Sequence, residues 1–230
     1  MAELKKPLFG NIKGTFGNAV FRQRYGKNYL AQKPSSYTPP DTQDFQIRTT
    51  KFKMASKISS TINADSSLKE IWNSIKPKNQ NLYNYLISAS YPFLTDDSVS
   101  PSLKIVPDSN IGVRLDNITV AQDKLTIKLL PLTIASLIDS NVEKNARLIS
   151  LITFGNPVNN DVPKFDVVSI TSNLLSINLD DPLTFDFILS TTNQIKVSAY
   201  QDKSLFSALL TYDVNNNMIN HSNTFYSNLV

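Results

Sequence analysis

Apolar and polar positions follow three rhythms along this 230-residue chain. From residue 108 onward the period is two. Ile118–Val120, Leu125–Leu130, Leu148–Phe154, Phe165–Ile170, Leu174–Leu179, Thr184–Leu189, Ile195–Tyr200 and Ser207–Tyr212 are short runs rich in β-branched and aromatic residues, separated by Asn, Asp, Pro or Gly clusters. Such closely spaced runs predict an antiparallel β-sandwich of immunoglobulin-like type. Leu125, Ile127 and Leu129 alternate with Thr126 and Lys128, which assigns them to an inner face, and Phe185, Ile188, Val197 and Ala199 are further candidates. Leu132 to Ala146 fits either a short helix or a long loop.

Between residues 41 and 91 the rhythm is helical. Asp41 is a candidate N-cap, and Phe45, Phe52, Ala55, Ile58 and Ile62 fall on one broad face. Ser67 with Glu70 reads as a capping box for a second helix, with Leu68, Ile71, Trp72 and Ile75 as its stripe and Pro77 as its stop. A third helix is expected over Asn79 to Ser90, where Leu82, Tyr85, Leu86 and Ala89 recur. The three are expected to form a small bundle with Trp72, the only tryptophan, at its centre. Residues 92–107, rich in proline and serine, read as a linker to the β domain at 108–230.

The leader obeys neither rhythm. Four of the six glycines, Gly10, Gly14, Gly17 and Gly26, lie in the first 33 residues with seven Lys/Arg against Glu3. Such a segment lacks the apolar run for a core of its own and is expected to gain order against another surface. Ala19 to Gln32 predicts a hairpin: with Gly26-Lys27 as its loop, Tyr25 faces Asn28, Arg24 faces Tyr29 and Arg22 faces Ala31, placing both arginines on one face above an aromatic ring. Pro34, Pro39 and Pro40 make the following stretch an extended spacer, so residues 1–40 form an arm.

Charge sharpens this division. Residues 1–104 carry 15 Lys/Arg against 7 Asp/Glu, and the remainder 8 against 12. Opposite signs on two halves suit head-to-tail association between copies, or a basic end that meets a polyanion. No apolar run is long enough for a transmembrane helix, and the N-terminus has no secretory-signal pattern, so cytoplasmic synthesis is expected.

Candidate chemistry is sparse. The chain has no cysteine, and its single histidine, His221, lies in a polar tail with no G-x-S-x-G turn to present a serine. Asp96-Asp97 and Asp180-Asp181 border prolines or turns, where neighbouring carboxylates diverge into solvent. Gly10 to Gly17 lacks the G-K-[ST] ending of a phosphate loop. A non-enzymatic protein without metal or cofactor is therefore expected.

Gly14, Gly17, Asn18, Val20, Gly26, Lys27 and Pro34 carry a resemblance. They match the opening G-x-x-G-x-x-G-N-x-V, the later G-K and the proline of a set of uncharacterised proteins from Bacteroidetes and their phages, and the entry to the next helix is similar. The resemblance implies the order arm, helices, β-rich domain, and no established activity. The expectation is an α+β chain acting as a structural, self-assembling component, such as part of a phage head, tail or decoration. Its arm residues Gly14, Gly17, Asn18, Val20, Arg22, Arg24, Gly26, Lys27 and Tyr29 would contact further copies or other virion proteins. The alternative is a nucleic-acid-binding protein that uses the basic arm, whose interleaved Phe16, Phe21, Tyr25 and Tyr29 offer stacking surface.

Overall fold

The computed structural model describes residues 2–4, 14–24, 27–33, 36, 39–121, 123–133 and 137–229. It is α+β, with four α-helices and mostly antiparallel sheets among the described residues. Two compact units divide it, Met1–Phe45 and Gln46–Val230.

In the first unit β1 (Ala2–Leu4), β2 (Gly14–Phe16), β3 (Ala19–Arg24) and β4 (Lys27–Gln32) form an antiparallel sheet in the order β1-β4-β3-β2. The leader thus builds a four-stranded sheet rather than a lone hairpin. The expected hairpin is present with its register moved: Arg22 lies opposite Tyr29 and Arg24 opposite Lys27. Lys27 belongs to the strand, and the connection falls on Tyr25 and Gly26, outside the described residues. Gly17 and Asn18 close a second hairpin between Phe16 and Ala19, and Gly17 has φ +56°, the left-handed backbone that a type II′ turn requires of its first loop residue.

The helix α1 (Gln43–Ala64) runs from the end of the first unit into the second, where α2 (Ser66–Ile75) and α3 (Leu82–Ser90) follow and precede a 3-10 turn at Tyr91–Phe93. Their starts differ slightly from the expected ones, because other side chains make the caps. Thr42 Oγ1 accepts from the Phe45 N–H at 3.3 Å, Asp65 accepts from the N–H groups of Ser67 and Leu68 at 3.0 Å, and Asn81 accepts from that of Tyr83 at 2.9 Å. Asp65 thereby replaces the expected Ser67–Glu70 box. The core face of α1 is Met54, Ala55, Ile58 and Ile62, while Phe52 turns outward at 54% exposure.

The β-rich part contains β5 (Leu115–Val120), β6 (Lys124–Leu129), β7 (Asn145–Pro157), β8 (Phe165–Thr171), β9 (Leu175–Ser176), β10 (Leu183–Ile188), β11 (Tyr200–Tyr212), β12 (Met218–His221) and β13 (Phe225–Asn228). A three-stranded sheet runs β10-β6-β5, and a six-stranded sheet runs β12-β11-β7-β8, with β13 on β11 and β9 on β7. The long strands β7 and β11 pair from Tyr200–Pro157 to Tyr212–Asn145 and are apolar on both faces. Ile149, Leu151, Phe206, Ala208 and Leu210 join the buried cluster of the helices, whereas Leu148, Ile152, Phe154, Leu205 and Leu209 join Leu125, Ile127, Leu129, Leu183, Phe185 and Phe187. The large sheet is therefore covered by helices on one face and by the small sheet on the other.

This layering explains three departures from the sequence reading. The helices share their apolar faces with the sheet as well as with one another: Trp72, 4% exposed, meets Tyr85 edge-on at 5.9 Å and donates its Nε1–H to the Ile105 carbonyl at 2.8 Å. Residues 92–107 are not a solvated linker, since Leu94, Leu103, Ile105 and Val106 lie buried in the same cluster. The segment expected as the strand Ile195–Tyr200 is α4 (Thr191–Ala199), started by Ser190, whose Oγ accepts from the Asn193 N–H at 3.3 Å. The alternation of Ile195, Val197 and Ala199 imitates a strand over only five residues, too few to outweigh a cap and the absence of a paired neighbour. Val197 and Ala199 are half-buried on this helix, and Ile188 is 88% exposed because Leu183, Phe185 and Phe187 take the inward positions of β10. Of Leu174–Leu179 only Leu175–Ser176 pairs, and β7 starts at Asn145, inside the stretch 132–146, whose remaining described residues are loop and turn.

Candidate functional site

Cross-strand partners share a side of a sheet, so the register of the first unit sorts its residues into two faces. Phe16, Ala19, Phe21 and Leu30 fall on one, with Gln23, Asn28 and Gln32. Thr15, Val20, Arg22, Lys27, Tyr29 and Ala31 fall on the other, with Glu3 of β1 opposite Tyr29. The sequence-expected site residues thus separate by role. Val20, Arg22, Lys27 and Tyr29 gather on the basic face, Gly14 and Gly17 with Asn18 shape the β2–β3 hairpin, Arg24 ends β3, and Gly26 is outside the described residues.

The apolar face is open at Phe16 and partly covered elsewhere. Phe16 is 82% exposed, Phe21 and Leu30 are half-buried, and Asn28 is the single buried residue among the described ones of this unit. Its Oδ1 has no hydrogen-bond partner among the described residues.

The second unit holds a charged cluster that the sequence did not announce. Asp166, at the start of β8 and 8% exposed, receives Lys57 of α1 at 2.7 Å, Lys196 of α4 at 3.0 Å and the Val167 N–H at 2.7 Å. Burial pushes the Asp166 carboxyl up, but the hydrogen bonds from Lys57, Lys196 and Val167 outweigh it and hold the group below its usual range. Tyr200 lies beside it, raised by burial and by the Asp166 charge, and donates its hydroxyl to the Pro163 carbonyl at 2.8 Å. Lys57 and Asp166 are more than a hundred positions apart, so no spacing in the sequence marks the pair. Its geometry is that of a clamp holding two helices to an edge strand.

Glu143, 4% exposed, is the second buried acid. Burial raises it despite side-chain hydrogen bonds with Thr211 and Asn220, and the Asp139 charge adds to the rise. Two adjoining clefts of 410 and 690 Å³ share Asp97, Ser98, Phe165 and Asp202. Their carboxylates face solvent, and no group of three or more His, Asp or Glu able to hold a metal ion occurs among the described residues. His221 sits in β12 with Nδ1 3.2 Å from the Ser222 carbonyl oxygen, while the Ser222 hydroxyl donates to the Asn223 carbonyl and accepts from the Leu209 N–H. That serine is thus not aimed at the imidazole. Asp180 and Asp181 are exposed. None of the described helices is long and apolar enough to cross a membrane.

The most distinctive surface is therefore the two-faced N-terminal sheet. No protein-family model matches the chain, and no curated protein matches it either.

Proposed function

We propose that this chain is a non-enzymatic structural subunit that assembles with further copies of itself, of the kind that builds phage heads, tails or decorations, and that its N-terminal sheet makes the inter-subunit contact. The carrying observation is the apolar face of that sheet, where Phe16 stands 82% exposed on the side shared with Phe21 and Leu30. Covering a phenylalanine of this kind is worth roughly 1.5–3 kcal/mol, repeated at every contact of an assembly. On this reading the two facing sheets act as an immunoglobulin-like packing module, and the short helices as a bundle that stiffens it. The likeness of the glycine-rich leader to Bacteroidetes and phage proteins is consistent with a virion setting.

Light scattering and electron microscopy of the full chain test the proposal. The protein should form large oligomers or filaments at high concentration, and Phe16→Ser, an exposed change with little cost to folding, should shift it toward monomer. A full-length protein that stays monomeric at high concentration would remove the reading.

A further inference from the structure

The geometry points to the opposite face of the N-terminal sheet as a platform for single-stranded nucleic acid. Exposed Arg22 of β3 lies directly across from half-buried Tyr29, exposed Lys27 extends the same face along β4, and Glu3 of β1 is the partner of Tyr29 on its other side, so the cations gather on the β3 side of the ring. An aromatic ring on a sheet face with cations along one side is a combination that single strands use, with bases stacking on the ring and phosphates meeting the charges. The charge distribution favours the same occupant. Residues 1–45 hold seven Lys/Arg against three Asp/Glu, while residues 46–230 hold sixteen of each, so the net attraction for a polyanion is concentrated in the unit that carries this face. The inference does not rest on the assembly reading, which uses the other side of the sheet.

The test is fluorescence anisotropy of the full chain with fluorescein-labelled oligo-dT and with a duplex of equal length, from about 50 to 200 mM salt. The oligo-dT should bind in preference to duplex, and its affinity should fall steeply with salt. Arg22→Ala should flatten the slope of log K against log salt by about 0.7, the share of one phosphate on a single strand. Tyr29→Ala should weaken binding about tenfold or more without changing the slope, and Tyr29→Phe should bind like the parent because the stacking face is kept. Phe16→Ser should leave binding unchanged. No binding at about 50 mM salt, equal affinity for duplex and single strand, or a Tyr29→Ala variant that binds like the parent would each overturn the proposal. Light scattering on the same samples separates the two readings: a chain that assembles without binding oligo-dT sinks only this one, and a monomer that binds it sinks only the other.

Discussion

Replacing Asp166 with alanine should be one of the most damaging single surface-proximal changes in the second unit. The carboxylate is 11% exposed and joins α1, α4 and β8 through Lys57 at 2.7 Å and Lys196 at 3.0 Å. A charge-assisted hydrogen bond of this type contributes about 1.5–3 kcal/mol when buried. The lysine side chains are 40% and 28% exposed, so solvent screens part of that and two full contributions overstate the loss. Removal of the acid then costs about 2–4 kcal/mol, which for a chain of this size lowers the melting temperature by roughly 4–15 °C. Urea denaturation at neutral pH should show a lower midpoint with an unchanged slope.

The pH dependence supplies a second check on the same residue. Because the folded carboxyl titrates below its ordinary value of 3.8, its stabilisation is complete above that value and is lost as pH falls from there through the lower folded pKa. The difference between parent and Asp166→Ala should therefore be flat at neutral pH and shrink in acid below 3.8. Equal midpoints at pH 7, or a difference that persists undiminished in strong acid, would refute the clamp.

Glu143 should behave in the opposite sense. Its folded pKa lies above the ordinary 4.5, so its ionisation costs stability progressively as pH rises from 4.5 through the folded value. Glu143→Gln keeps hydrogen-bonding capacity toward Thr211 and Asn220 without the buried charge, and should raise the denaturation midpoint at neutral pH by about 1 kcal/mol, an advantage absent below pH 4.5. Trp72→Phe preserves apolar volume in part but leaves the Ile105 carbonyl without its donor, and should cost about 1–3 kcal/mol in a chemical melt followed by circular dichroism, since the variant has no tryptophan to report fluorescence.

The amino-acid pattern determined the elements whose partners are near in sequence or whose faces are simple. Period-two runs located β6, β8 and β10, the stripe around Trp72 located α2, and the separation of Arg22, Lys27 and Tyr29 from the helices by prolines located the basic leader. Local signals also set the limits of that reading. Moving the β3–β4 connection from Gly26-Lys27 to Tyr25-Gly26 shifts every cross-strand pair by two residues, which keeps each side chain on its face but changes its partner, so Tyr29 meets Arg22 rather than Arg24. Only tertiary contact decided that Leu94, Leu103, Ile105 and Val106 of the 92–107 segment enter the core, because their burial depends on the cluster shared by the helices and the sheet. It likewise decided that α4 is a helix anchored through Lys196 to Asp166, and that Asp166 and Lys57 meet at all. Ion pairs between distant segments leave no period in a sequence, since their energy depends on distance in space and on exclusion of water, and folding alone creates both.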